Sequence, residues 1–171
     1  MMDYHMHSNY STDSDMPMEA ACATAIKLNL REICFTDHVD IDWPIPGQEF
    51  YITRMDDYIN ELEMLAKKYE PGIKIKKGLE VGLQPHVLEE ASSLVSSLPL
   101  DFVIGSVHLV DRKDPASEDY FLGKTKEEAY VGYYSEILRL VRAYDNFDVV
   151  GHIDYVRRYW PGEHSPDDYM I

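Results

Sequence analysis

Strand-length and helix-length patterns alternate along the whole 171-residue chain, and this order constrains its fold more than any other feature. Stretches typical of β-strands occur at residues 2–6, 32–36, 73–80, 102–108 and 147–151. Helical patterns separate them, at residues 17–30, 55–69, 85–97 and 126–144. Parallel strands joined by helices connect through right-handed crossovers, so the order predicts an α/β fold with a parallel sheet or barrel. Sites in such folds lie at the carboxyl ends of the strands.

Two of these helices have the clearest apolar stripes. The helix at 55–69 is predicted to follow an N-cap at Thr53 and to use its stripe only for core packing. The helix at 126–144 is predicted to direct five apolar residues inward: Tyr130, Tyr134, Ile137, Leu138 and Val141. Two loops are also predicted, one rich in proline and acidic residues at 40–48 and a long polar one at 111–124. The second is either a lid or, more economically, a mobile surface loop.

Residues that bind metal ions recur at the predicted strand ends. His5 and His7 are two apart in the first strand, so their side chains share a face and can hold one ion. The later strands end at or near His38, Glu80, His108 and His152. Because the ends of parallel strands meet at one edge, these side chains are predicted to converge on a single metal centre. His86 and His164 lie away from strand ends and are interpreted as ordinary surface histidines.

Charge and composition narrow the possible partners and location. The chain has 16 Lys and Arg residues against 31 Asp and Glu, a formal net charge of −15. Such a surface repels a phosphate backbone, which disfavours nucleic acid and favours a small substrate, for instance one with a cationic portion. The apolar stretches are too short to span a bilayer and no signal segment is recognisable, so we expect a cytoplasmic protein of one domain, residues 1–171. Cys22 and Cys34 are predicted to be buried thiols without a disulfide.

The motifs of the chain, taken in order, resemble those of the PHP (polymerase and histidinol phosphatase) superfamily. The resemblance is carried by His5-x-His7, Asp13, Thr36-Asp37-His38, Gly78-Leu79-Glu80, Ser106-Val107-His108 and Gly151-His152. Within the superfamily, residues 32–40, 82–86 and 151–159 are most similar to the PHP-type histidinol phosphatases. The resemblance covers essentially the whole chain and implies a distorted (β/α)7 TIM-like barrel with three metal ions.

The resemblance also implies how the metal ions share their ligands. The two histidines of the first strand would hold one ion together with Glu80. Glu80 would bridge to a second ion, held by His108 and His152, and Asp13 and His38 would belong to a third. Nitrogen and oxygen ligands together accept zinc, manganese or iron, so we expect two to three divalent transition-metal ions.

One family feature is missing from the sequence. The family closes its barrel with further strands and an Asp-x-His motif, and no such motif follows His152. We therefore expect an incomplete barrel of about five βα units, with one ligand missing from each of the first and third sites. An open sheet edge is a liability that proteins normally cover. The chain is thus expected to be C-terminally truncated or to be completed by self-association as a homo-oligomer.

Phosphate-ester hydrolysis suits these residue types. Adjacent divalent ions can activate water and stabilise the charge of an in-line displacement, and the carboxylate of Glu80 can serve two ions at once. Arg157 is the first choice for binding phosphate through its planar guanidinium, with Arg158 as the alternative, because spacing does not decide which points inward. Asp154 is a candidate to protonate the leaving alkoxide, and Asp154 or Asp37 to orient a ligand imidazole.

The leading hypothesis is hydrolysis of a phosphomonoester. The resemblance implies that the substrate is L-histidinol phosphate, cleaved to L-histidinol and phosphate in histidine biosynthesis. A second hypothesis is a PHP phosphoesterase or nuclease that acts on nucleotides or DNA. A third, motivated by the missing motif, is a non-catalytic, vestigial metal-binding domain.

Overall fold

A computed structural model describes residues 1–45 and 50–164 of the chain. Strands and helices alternate through these residues as the sequence predicts. The strands are β1 (Met2–Met6), β2 (Glu32–Phe35), β3 (His38–Val39), β4 (Lys74–Gly82), β5 (Phe102–Ser106) and β6 (Val149–Val150). The helices are α1 (Met18–Lys27), α2 (Met55–Tyr69), α3 (Leu88–Ser97), α4 (Glu118–Phe121), α5 (Lys126–Ala143) and α6 (Tyr155–Arg158).

The strands form one curled parallel sheet in the order β1-β2-β4-β5-β6. The short strand β3 continues beyond β2 along the same side of β4, where His38 lies opposite Glu80. The predicted α/β fold, an incomplete TIM-like barrel, is therefore confirmed. Since every pairing is parallel, the carboxyl ends of all the strands open onto the same edge of the sheet.

The core lies between the sheet and the helices that cover it. Helix α2 shows how the periodicity builds it, because Tyr58, Leu62 and Leu65 recur on one face and are fully buried. The Tyr58 hydroxyl donates a 2.9 Å hydrogen bond to the carbonyl of Gly78 in β4, which satisfies a polar group inside the core. Both cysteines, Cys22 and Cys34, are buried free thiols, as predicted.

Two local predictions were wrong, and one predicted loop contains a short helix. Helix α2 begins at Met55 with Arg54 at the N-cap, so Thr53 does not cap it. Leu138 is 48% exposed rather than directed inward. The buried face of α5 instead includes Tyr133 and Leu140, and Leu138 lies outside that face. The 111–124 loop contains helix α4, whose Tyr120 is buried and donates a hydrogen bond to the carbonyl of Ala129. This hydrogen bond joins the loop to helix α5.

The two outer strands limit the sheet. Within the described residues, β1 pairs with β2 alone and β6 with β5 alone. A groove of about 290 Å³ lies between them, lined partly by Met2, Phe102, Ile104 and Val149. Among the helices of the described part of the chain, none is long and apolar enough to cross a membrane.

Candidate metal centre

All seven predicted ligands line one cavity of about 410 Å³ at the carboxyl ends of the strands. Strand β1 and the loop after it supply three of them, and the other four come from β3, β4 and the segments after β5 and β6. The set is His5, His7, Asp13, His38, Glu80, His108 and His152. The parallel topology thus brings together residues that are up to 147 positions apart in the sequence.

The carboxylate of Glu80 occupies the centre of the cavity and is completely buried. Its Oε1 atom lies 2.7 Å from Nε2 of His152 and 3.3 Å from Nε2 of His108. Its Oε2 atom lies 3.1 Å from Nε2 of His5 and 3.0 Å from Nε2 of His7. Nδ1 of His38 also lies 3.5 Å from Oε2. The two oxygens therefore face different sets of imidazoles, an arrangement that suits a bridging carboxylate.

The ligand atoms on the Oε1 side form a compact triangle, here called the His108 cluster (Glu80, His108 and His152). The two imidazole Nε2 atoms lie 3.3 Å apart, and His108 Nε2 lies equally far from Oε1 of Glu80, whereas His152 Nε2 is closer to that oxygen, at 2.7 Å. Ligands of a tetrahedral zinc ion with bonds of about 2.0 to 2.1 Å lie about 3.3 to 3.4 Å from one another. Two of the three spacings in the His108 cluster therefore match those around one zinc ion, and the third is shorter.

The Oε2 side forms a second group, the His5 cluster (His5, His7 and Glu80). Although Nε2 of His7 is 3.0 Å from Glu80, it is buried and has no hydrogen-bond partner with suitable geometry. A buried ring nitrogen that faces a carboxylate without donating to it is what a shared cation would satisfy. The residues present thus fit a metal ion here as well.

A third group, the His38 cluster (His7, Asp13 and His38), lies beside the second. The Asp13 carboxylate lies 3.0 Å from Nδ1 of His7 and 3.5 Å from Nε2 of His38. Asp13 and His38 are therefore neighbours, as the resemblance implies. His7 presents Nδ1 to this cluster and Nε2 to the His5 cluster. Strand periodicity alone does not predict that one histidine takes part in both clusters.

Sequence reasoning missed Asp40, which the structure places behind the metal ligands. It is buried, and its two oxygens accept from Nδ1 of His108 at 2.7 Å and from Nδ1 of His38 at 3.1 Å. A carboxylate on the far ring nitrogen fixes the tautomer and orientation of a metal-binding imidazole. Asp37, which was expected to share that role, accepts instead from the backbone and hydroxyl of Ser8. The available signals for Asp40 were its position two residues after His38 and its place in the 32–40 segment that resembles the histidinol phosphatases.

Small residues make room for these contacts. A side-chain carbon at Gly82 would lie 1.9 Å from Oδ1 of Asp40, and one at Gly151 would lie 2.1 Å from Oγ of Ser106. The Ser106 hydroxyl donates a 2.6 Å hydrogen bond to Oε1 of Glu80. Any larger residue at Gly82 or Gly151 would therefore displace Asp40 or Ser106, the side chains that orient the imidazoles and Glu80.

The site is electrostatically suited to cations. Burial raises the pKa of Glu80, but hydrogen bonds with the surrounding imidazoles outweigh burial and hold that pKa well below its ordinary value. Burial lowers the pKa of His7, but interactions with Asp13 and Glu80 overcome it and raise that pKa to about 9. Glu80 is therefore ionised, and its charge favours a proton on His7 in the metal-free protein. A bound metal ion would replace that proton.

The outer wall of the cavity carries different chemistry. Arg158 lies on the wall, whereas Arg157 and Asp154 are not among its lining residues in the described part of the chain. Asp114 is also on the wall, where its carboxylate accepts a 3.1 Å hydrogen bond from the hydroxyl of Tyr155. His86 and His164 lie outside the cavity, as expected. The aromatic side chains of the wall are Trp43, Phe50, Tyr155 and Tyr159.

Comparison with known proteins agrees with this geometry. The family model described as "PHP domain" matches residues 3–169. A histidinol-phosphatase of Lactococcus lactis subsp. lactis (strain IL1403) is 38% identical over 161 residues, which cover 94% of this chain and 59% of that protein. A probable histidinol-phosphatase of Clostridium acetobutylicum is 31% identical, covering 93% of this chain and 59% of that protein. The chain thus spans about three-fifths of the length of these curated relatives.

Solved structures give the same answer. The crystal structure of histidinol phosphate phosphatase from Lactococcus lactis, complexed with zinc, L-histidinol and phosphate, matches with a TM-score of 0.89 and 38% identity, over 94% of this chain and 60% of that one. A putative histidinol phosphatase from Listeria monocytogenes, 17% identical with a TM-score of 0.79, shares the fold over 92% of this chain and 68% of that one. The resemblance inferred from the motifs is confirmed: this chain belongs to the PHP family.

Proposed function

We propose that this protein is a metal-dependent phosphomonoester hydrolase that converts L-histidinol phosphate to L-histidinol and phosphate. The observation that carries the proposal is the buried carboxylate of Glu80, whose two oxygens face different sets of imidazoles. The similarity to a phosphatase whose crystal structure contains zinc, L-histidinol and phosphate supports the substrate. The proposed place of the reaction is histidine biosynthesis in the cytoplasm.

The proposed metal ligands are the residues of the three clusters. The His5 cluster and the His108 cluster would each hold one divalent ion, with Glu80 between them, and the His38 cluster would hold a third. When bound, zinc, manganese or iron ions would activate water and neutralise charge on the phosphoryl group. Zinc in the Lactococcus lactis structure favours zinc, and nitrogen-rich ligand sets of this kind suit it.

Other residues of the chain have separate tasks in the proposed reaction. Asp40 and Ser106 hold the imidazoles and Glu80 in their orientations. The cavity position of Arg158 supports it over Arg157 as the group that binds phosphate oxygens, through a planar guanidinium that matches them. Asp114 offers a carboxylate to a cationic part of the substrate. The proposed role of Asp154 in protonating the leaving group is weakened by its position away from the cavity wall.

Turnover measurements test the function. The metal-loaded protein should hydrolyse L-histidinol phosphate much faster than a dinucleotide, and a variant with both His5→Ala and His7→Ala should lose metal and activity together. His164→Ala serves as the control and should keep both, because His164 is exposed and lies outside the cavity. Preference for the dinucleotide would favour a nuclease, and bound metal without turnover of any phosphoester would favour a vestigial metal-binding domain.

The two arginines are separated by a paired experiment. Arg158→Ala should raise the KM for the phosphoester about tenfold or more, because loss of a charge-assisted bidentate contact of this kind costs at least about 1.5 kcal/mol. Arg157→Ala should change KM less than threefold or so. The reverse order would return the assignment to Arg157.

We also propose that a second copy of the chain covers the open side of the sheet. The outer strands β1 and β6 present backbone groups with no second strand among the described residues, and Val149 in β6 is 42% exposed. Light scattering should therefore report a dimer, and Val149→Lys should weaken it. A monomer at all concentrations would contradict this part of the proposal.

A further inference from the structure

Three loops at the carboxyl ends of the strands meet at one partly exposed carboxylate. Oδ2 of Asp42, in the loop after β3, lies 2.5 Å from Nη1 of Arg112, in the loop after β5. The same oxygen lies 2.9 Å from Nε2 of His86, which follows β4. We call this group the Asp42 clamp (Asp42, His86 and Arg112). A second contact joins two of the loops, because the Gln84 side-chain amide donates a 2.8 Å hydrogen bond to the carbonyl of Ile41.

The backbone of the clamp is unusual. Asp111 and Arg112 are the central residues of a two-residue hairpin closed by reciprocal hydrogen bonds between Val110 and Lys113. Both have positive φ, 50° and 61°, and Asp42 has φ 57°. Such hairpin turns favour asparagine and glycine, because a larger side chain is costly in the left-handed region. Arg112 therefore occupies a backbone conformation that its side chain disfavours, and its guanidinium contacts Asp42.

Two of the three clamp residues, Asp42 and Arg112, lie close in sequence to residues that line the cavity. Asp42 lies two residues after Asp40 and directly before Trp43, which lines the cavity. Arg112 lies between His108 and Asp114, the latter also on the wall. The ion pair between Asp42 and Arg112 therefore joins two loops that both contribute residues to the cavity wall.

We propose that the Asp42 clamp is a positioning device that holds Trp43 and Asp114 in place in the wall of the substrate-binding cavity. None of the three clamp residues lines the cavity, so the clamp acts through the loops that it joins. The role of the clamp in substrate binding rests on the proposed phosphatase function. Its role in holding the two loops together does not depend on that function.

Arg112→Gly provides a sharp test because it separates the side chain from the backbone. Glycine suits a positive φ, so this change should stabilise the turn while it removes the guanidinium. Asp111→Gly is the matched control, since it relieves the same kind of backbone conformation in the same turn and leaves the Asp42 pair intact. Asp42→Asn is a second variant that removes the charge but tolerates the left-handed backbone.

The main measurement is acrylamide quenching of Trp43 fluorescence in the metal-loaded protein, with Trp160→Phe as the common background. Arg112→Gly and Asp42→Asn should each raise the quenching constant of Trp43 about twofold, as expected of a loosened loop. Both should raise the KM for the phosphoester about fivefold with little change in kcat, in keeping with the modest strength of a partly exposed ion pair. Asp111→Gly should change neither quantity.

The possible outcomes are distinct. Equal quenching in Arg112→Gly and Asp111→Gly would overturn the clamp, because the arginine would then be only a turn residue. Increased quenching with an unchanged KM would overturn its role in substrate binding. If the parent protein hydrolyses no phosphoester, the proposed function fails, while the quenching comparison still decides whether the clamp holds the loops.

Discussion

Replacing Asp40 by asparagine tests whether one buried carboxylate orients imidazoles in two metal clusters. Asp40 accepts from Nδ1 of His108 at 2.7 Å and from Nδ1 of His38 at 3.1 Å. An asparagine oxygen can accept from one of these N–H groups, but its NH₂ group is a donor and cannot accept from the other. The longer contact, with His38, should be the one that is lost.

The expected loss of metal affinity depends on how many imidazole hydrogen bonds each Asp40 variant loses. Loss of an outer partner of a metal-binding imidazole typically weakens metal binding by about 10- to 100-fold, or about 1.4 to 2.7 kcal/mol. Asp40→Asn should therefore weaken the His38 cluster by about this factor and the His108 cluster less. Asp40→Ala removes both contacts and should weaken both clusters.

Competitive zinc titration of the metal-free protein against a chelating dye, with elemental analysis after dialysis, measures these affinities. Asp37→Asn is the matched control, because Asp37 is also buried but contacts Ser8 instead of an imidazole. It should lower the free energy of unfolding without changing metal affinity. Wild-type affinity in both Asp40 variants, or equal losses in Asp37→Asn, would refute the orienting role.

Three further predictions concern the same centre. Gly82→Ala should reduce metal affinity as Asp40→Ala does, because the added carbon would lie 1.9 Å from Oδ1 of Asp40, and zinc titration checks this. Glu80→Gln should lower metal content at the His5 and His108 clusters together, whereas loss at one cluster alone would contradict a bridging role. In the metal-free protein, the raised pKa of His7 should contribute up to about 3 kcal/mol of stability that is complete below about pH 6.5 and lost as pH rises through about 9. Zinc-loaded protein should show the opposite trend, since zinc displaces the proton, and thermal unfolding at pH 6 and 9 with and without zinc distinguishes the two.

Much of the fold was predictable because its signals are local. Alternating strand and helix patterns are set by neighbouring side chains, and the parallel sheet follows from the handedness of their connections. Boundaries were less predictable, as Arg54 in place of Thr53 at the N-cap of α2 illustrates. The residue at which a helix begins or ends depends on the hydrogen bonds that the surrounding structure permits.

Within the site, the sequence by itself determined the candidate ligands, because residue type and position relative to a predicted strand end can both be identified from the sequence. Only the tertiary structure decided which atoms face one another. It placed Asp40 rather than Asp37 against the imidazoles, gave His7 two carboxylate neighbours, and put Arg158 on the cavity wall. Such contacts depend on the separation and direction of side chains from distant segments, which local periodicity does not specify.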